Sequence, residues 1–143
     1  MRLTVYSDYA LRLLMYVAIN SERLCTIQEI ADHYNISKNH LMKVTYELGL
    51  AGYIETVRGR SGGIRLARAS RDIGIGDVIR STEEDFKLVE CFDRSTNQCM
   101  ISGRCKLARI LDEALGAYMQ TLDKYTLADL ASERGLKKLL AVS

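Results

Sequence analysis

The chain has 143 residues, enough for one compact core or for a small domain with an appended element. Its apolar share of 48% and charged share of 27% exclude a disordered chain. The longest apolar-leaning stretch, Tyr9 to Ile19, is too short to span a bilayer and contains Arg12. A net charge of +2 gives no global reason to expect a polyanionic partner, so any such reason must be local.

From the N-terminus, residues 7–20 read as a helix that is apolar nearly all round, with Leu11, Leu14, Met15 and Ala18 at helical spacing. Such a helix is expected to be buried on more than one side. Thr26-Ile27-Gln28-Glu29 has the form of a capping box and opens a short helix to about Tyr34. Asn35-Ile36 makes a tight turn, Ser37 caps the next helix, and that helix runs to about Ala51. Tyr53 to Val57 reads as a strand, Arg58 to Gly63 as a glycine-rich turn, and Ile64 to Leu66 as a return strand. A short helix is expected over Ile75–Arg80. Residues 83–105 lack periodicity and hold three of the four cysteines. Leu107, Leu111, Ala114, Tyr118 and Leu122 then form a coiled-coil-like seam, and Thr126 begins a last short helix.

The fold class expected from this order is mainly α with a small two-stranded β wing: a winged helix-turn-helix domain plus a long dimerisation helix. The expected divisions fall at 1–80 for the helix-turn-helix part, with its wing at about 53–66, at 81–106 for the cysteine-bearing loop, and at 107–143 for the long helix and the C-terminal helix. Within 37–51, Leu41, Val44 and Leu48 share one side, while Lys38, Asn39, Met42, Lys43 and Tyr46 share another. The second set is what a recognition helix presents to a major groove. Asn39 and Lys43 have the chemistry to read base edges, and Ser37, Lys38 and His40 can bind phosphate or bases. Arg58, Arg60 and Arg65 place three guanidinium groups on a turn whose glycines permit close approach to DNA.

No secretory leader is visible, so the expected compartment is the cytoplasm, where cysteines serve as metal ligands or redox groups rather than disulfides. Cys91, Cys99 and Cys105 are spaced C-x7-C-x5-C among loop formers. Zinc with a fourth ligand is one possible centre, although the short C-x2-C knuckle of structural zinc sites is missing. An iron–sulfur cluster is the other; three thiolates would leave one iron for a weaker donor, which suits a sensor. Asp8, Asp85, Glu90, Asp93, His33 and His40 are the candidate fourth ligands. Cys25 stands far from the other thiols and reads as a partly buried side chain. The absence of a C-x2-C pair and of a nucleotide-binding glycine motif argues against a redox enzyme.

Across nearly its whole length the chain resembles the NsrR/IscR/RirA, or Rrf-two, family of winged-helix iron–sulfur transcription regulators. The likeness rests on Ser7-Asp8-Tyr9-Ala10-Leu11-Arg12, on residues 36–44, on the run from Gly52 to Leu66, and on Val89-Glu90-Cys91-Phe92. Residues 37–43 and Thr82-Glu83-Glu84-Asp85-Phe86 are most similar to its nitric-oxide-responsive members. The resemblance implies a 4Fe-4S cluster on Cys91, Cys99 and Cys105, with Asp8 supplied by the partner subunit. It also implies a homodimer on a pseudo-palindromic double-stranded DNA operator, nitric oxide as the signal, and derepression as the outcome. Ala108 stands where one branch of the family has a ligand histidine, so that ligation is not expected. An iron- or redox-responsive repressor of the same family is the nearest alternative.

Overall fold

The computed structural model describes residues 1–141; the last two positions of the element expected over 107–143 lie outside the described residues. The helices are α1 (Val5–Ile19), α2 (Ile27–Tyr34), α3 (Lys38–Leu50), α4 (Ile75–Thr82), α5 (Lys106–Leu122), α6 (Leu127–Ala131) and α7 (Arg134–Leu140). Strands β1 (Ile54–Val57) and β2 (Gly63–Leu66) pair antiparallel, with Ile54 opposite Leu66 and Val57 opposite Gly63.

The central helix is α1. Ala10, Leu13, Leu14 and Val17 have no exposed surface, and α1 touches α3, α4, α6, α7 and β2. Each fully buried leucine or valine contributes about 1.5–3 kcal/mol of burial, so this helix anchors the elements packed on it. It begins two residues earlier than its apolar pattern suggests. Thr4 is the cap, and its hydroxyl accepts from the Ser7 N–H at 3.2 Å. Ser7 is buried, sharing a 2.7 Å hydrogen bond with the Thr82 hydroxyl at the end of α4.

Glu83 closes this junction. Its carboxylate accepts from the Thr4 N–H at 3.1 Å, from the Thr4 hydroxyl, and from the Ser7 hydroxyl at 2.9 Å. Burial alone would raise the Glu83 carboxyl, but the hydrogen bonds from Thr4 and Ser7 win and hold it below its ordinary range. A carboxylate depressed in the folded state stabilises above its unfolded pKa of about 4.3, and that stabilisation is lost as pH falls through the lower folded value. Glu83→Gln is therefore expected to cost about 1 kcal/mol at pH 7. Thermal melts of the two proteins should converge as pH falls below about 4; a gap that stays constant down to pH 2 would mean the carboxylate charge is not what stabilises α1.

The helix-turn-helix forms as its caps dictate. Thr26 and Glu29 make the reciprocal capping box, and Asn35 takes the left-handed conformation at φ 54 that ends α2. Ser37 then caps α3 from the His40 N–H. Leu41, Val44, Thr45 and Leu48 turn inward, so the face separation expected from the sequence is present. The Cys25 N–H donates to the Ile64 carbonyl at 3.0 Å, and the Ile64 N–H returns a bond at 2.7 Å. The segment before α2 thus ties the wing to the helical body. At the wing tip, a Cβ on Gly62 would collide with the Val57 carbonyl oxygen, so the turn closes only around glycine.

The C-terminal part departs from a single last helix. A second capping box, Thr126 with Asp129, starts α6, and α7 follows after Ser132-Glu133. Leu127 and Leu140 enter the same core as α1, and the Asn20 amide donates to the Leu140 carbonyl at 2.9 Å. Helix α5 behaves differently: none of its residues is buried. At its end, the two-pronged ion pair of Arg80 of α4 with the capping Asp123 closes at 2.7 Å for each prong. Among the described residues, no helix is long and apolar enough to cross a membrane.

Candidate nucleic-acid interface and metal centre

Helix α3 and the wing lie at one end of the helical body. Ser37, Lys38, Asn39 and Lys43 are exposed along the outer side of α3, and Arg58 and Arg60 are exposed at the wing tip. Two other residues expected at this surface have partners within the chain. The His40 ring sits edge-on against Tyr9 of α1, with centroids 4.9 Å apart. Arg65 pairs with Glu55 directly opposite it on β1. His40 thus links α3 to α1, and Arg65 links the strands to each other. Arg68, which sequence reasoning passed over, lies over the Tyr53 ring at 4.6 Å and adds a held guanidinium just past β2.

The cysteine loop is fastened by carboxylate and amide side chains. The Glu90 carboxylate accepts from the Gln98 N–H at 3.1 Å, which ties the turn carrying Cys91 to the residue before Cys99. Asp93 accepts from the Ser95 N–H at 3.0 Å and from the Lys87 ammonium at 2.8 Å. Lys87, then Ser95, hold its carboxyl far below the usual range. Asn97 accepts from the Cys99 N–H at 3.0 Å and donates to the Ser102 hydroxyl at 2.7 Å. Gly103, at φ 89, makes the left-handed step that delivers the chain to Cys105, the N-cap of α5.

All four cysteines are free thiols. Cys99 is exposed, Cys91 and Cys105 are partly so, and Cys25 is completely buried. Burial pushes the Cys25 thiol up to about 11, which removes it as a thiolate donor at neutral pH. Cys91 borders a depression of about 260 Å³ that Phe92, Ser102, Gly103, Ala108, Arg109 and Asp112 also line. The donor set suits an iron–sulfur cluster: three free thiols on one fastened loop, beside the positive end of a helix dipole that favours an anionic group. Among the described residues, no three Cys, His, Asp or Glu side chains converge as a metal-holding group. The loop presents the three thiols without drawing them together.

Asp8 lies in the first turn of α1, and its carboxylate is gripped by Arg12 one turn on, at 2.9 and 3.1 Å. The Arg12 guanidinium lies about 6 Å from the centres of the Tyr9 and Tyr34 rings, and the Tyr34 hydroxyl donates to the Arg12 carbonyl at 2.9 Å. Asp8, Arg12, Tyr9 and His40 are therefore one contiguous set from the start of α1 to the start of α3. The i, i+4 spacing of Asp8 and Arg12 was the sequence signal for the pair.

Three comparisons bear on this arrangement. The profile of the Rrf2 family, described as iron-dependent transcriptional regulators, matches residues 3–133. The HTH-type transcriptional regulator NsrR of Bacillus licheniformis is 54% identical over 99% of this chain and 100% of its own. Among solved structures, T. potens IscR superposes with a TM-score of 0.74 at 25% identity, covering 91% of this chain and 85% of that one. CymR, the global cysteine regulator of B. subtilis, superposes with a TM-score of 0.72 at 28% identity, covering 92% of this chain and 97% of its own.

Proposed function

Because the chain belongs to the Rrf2 family and is an NsrR-type, DNA-binding transcription regulator rather than an enzyme, we propose that it represses its targets as a homodimer and senses nitric oxide through a 4Fe-4S cluster. In this reading Cys91, Cys99 and Cys105 hold the cluster and Asp8 of the partner subunit completes it. The observation that carries the reading is the placement of three free, solvent-reachable thiols on one fastened loop between a winged helix-turn-helix and an uncovered helix.

Support for the homodimer comes from α5. Leu107 is 60% exposed and Tyr118 37% exposed, on a helix whose sequence repeats apolar residues at spacings of three and four. A second copy of the same helix covers that stripe and sets two recognition helices about a twofold axis. A pseudo-palindromic operator is the matching DNA symmetry. Ser37, Lys38, Asn39 and Lys43 face the groove, and Arg58 and Arg60 reach the flanking backbone or minor groove; His40 and Arg65 act through the contacts that hold α3 and the wing in place.

A bound cluster supplies iron that nitric oxide can ligate. The chain's own contribution is that Asp8 has two exclusive employments. Its carboxylate either pairs with Arg12 of its own helix or serves as a donor to the partner's loop. Arg12 and Tyr9 connect that choice to His40, and hence to the set of α3. Two discrete arrangements of one carboxylate then bias how the two recognition helices sit on DNA.

The test uses anaerobically purified protein on its operator. Nitric oxide is expected to weaken binding about hundredfold, a coupling of a few kcal/mol, while an iron chelator alone leaves affinity unchanged over the same interval. Release by the chelator and not by nitric oxide would make the protein an iron-responsive repressor. A colourless zinc protein with full affinity would remove the cluster altogether.

A further inference from the structure

We propose that Met42 reads the 5-methyl group of thymine in the major groove, as a specificity-determining residue of the recognition helix. The proposal rests on the DNA-binding reading above. Burial of Leu41, Val44, Thr45 and Leu48 fixes the rotation of α3, and leaves Asn39, Met42, Lys43 and Tyr46 on the outer side. Met42 is 49% exposed and Tyr46 is 65% exposed. Residues four apart are neighbours on a helix surface, so these two make one apolar ridge on a face that a solvated helix would give to polar groups.

The surroundings of the ridge identify its partner. Lys38 and Lys43 flank it, Asn39 lies just under one turn before Met42, and Arg58 and Arg60 extend the positive charge onto the wing. That frame fits a polyanion with a partly apolar floor. The one acid of α3, Glu47, lies a turn beyond Lys43, toward the C-terminal end and away from the half that enters a groove. In the major groove of B-DNA, the apolar group on the base edges is the thymine methyl. Methionine suits it: an unbranched, polarisable side chain that adapts its shape to a small apolar target. Asn39 and Lys43 supply the hydrogen-bonding part of the same readout, while the Tyr46 hydroxyl, a turn further on, is of the kind that meets phosphate.

The test is a chemical double-mutant cycle. Duplexes bound by the anaerobically purified full-length dimer are first selected from a random pool, and each thymine of the selected site is then replaced singly by deoxyuridine. Removal of a methyl at one or two thymines per half-site is expected to weaken wild-type binding about threefold to tenfold. Met42→Ala should bind the thymine duplex less tightly and lose the difference between thymine and deoxyuridine at those positions only. Met42→Leu should keep it. Because Met42 is exposed, both variants should melt with the wild type. Wild-type binding indifferent to every methyl, or a Met42→Ala profile identical to the wild type's, would overturn the assignment. A selection that enriches no sequence would instead overturn the DNA-binding reading, and this proposal with it.

Discussion

Replacing Cys99 by alanine is expected to give a folded, colourless protein that contains neither iron nor sulfide and whose DNA binding no longer responds to nitric oxide. A cubane needs one protein or solvent ligand per iron, and three thiolates already leave one iron to a weaker donor. Loss of a second strong ligand should therefore abolish assembly, not weaken it in proportion. Cys99 is exposed and its side chain supports nothing else, so the melting temperature of the metal-free protein should be unchanged. Cys25→Ala makes the opposite prediction. It should keep its iron and lose about 1–2 kcal/mol of stability, because that thiol is wholly buried where the pre-α2 segment pairs with the wing. Iron and sulfide analysis with thermal melts on the two variants decides it. Four irons per protomer in Cys99→Ala, or none in Cys25→Ala, would show that the ligands have been assigned to the wrong thiols.

The parts of this molecule that are legible in its sequence are those set by local rules. Thr26, Asn35 and Ser37 each act through hydrogen bonds or dihedrals within three or four residues, so the helix-turn-helix follows from them directly. The separation of Leu41, Val44 and Leu48 from Asn39 and Lys43 is likewise a matter of helical period. What a single sequence conceals is mostly non-local. Glu83 receives hydrogen bonds from Thr4 and Ser7 at the start of α1, from 79 and 76 residues away, a contact no local pattern reveals. The helix α7 is short and has weak periodicity, and it docks because Leu140 reaches the core that α1 has already made. The sequence also lists His40 and Arg65 by charge and hydrogen-bonding capacity, whereas Tyr9 and Glu55 engage them. In the cysteine loop, spacing picks out the proposed donors, and the bonds from Glu90, Asp93 and Asn97 show how the turns between them are held. These bonds order the turns without bringing the three thiols together.

Removing the wing-tip cations should separate electrostatic grip from sequence reading more cleanly than any change on α3. Arg58 and Arg60 are exposed, and neither makes an ion pair within the described residues, so their charge is unspent in the free protein. In a homodimer, Arg58→Ala with Arg60→Ala deletes four cations at once. Each phosphate neutralised contributes about 0.9 to the slope of log affinity against log salt, so the slope should become shallower by about three to four. Affinity near physiological salt should fall about a hundredfold to a thousandfold, and by a similar factor for the operator and for unrelated duplexes. Lys43→Ala should behave otherwise if it reads a base: a smaller loss, concentrated on one position of the site, with discrimination relaxed there. The contrast depends on the wing keeping its place, which the Cys25–Ile64 backbone pairing and the Glu55–Arg65 pair provide independently of the tip arginines. Fluorescence anisotropy across a salt series reads both quantities. An unchanged slope in the double variant would mean that the wing does not touch the DNA backbone, and that α3 alone grips the duplex.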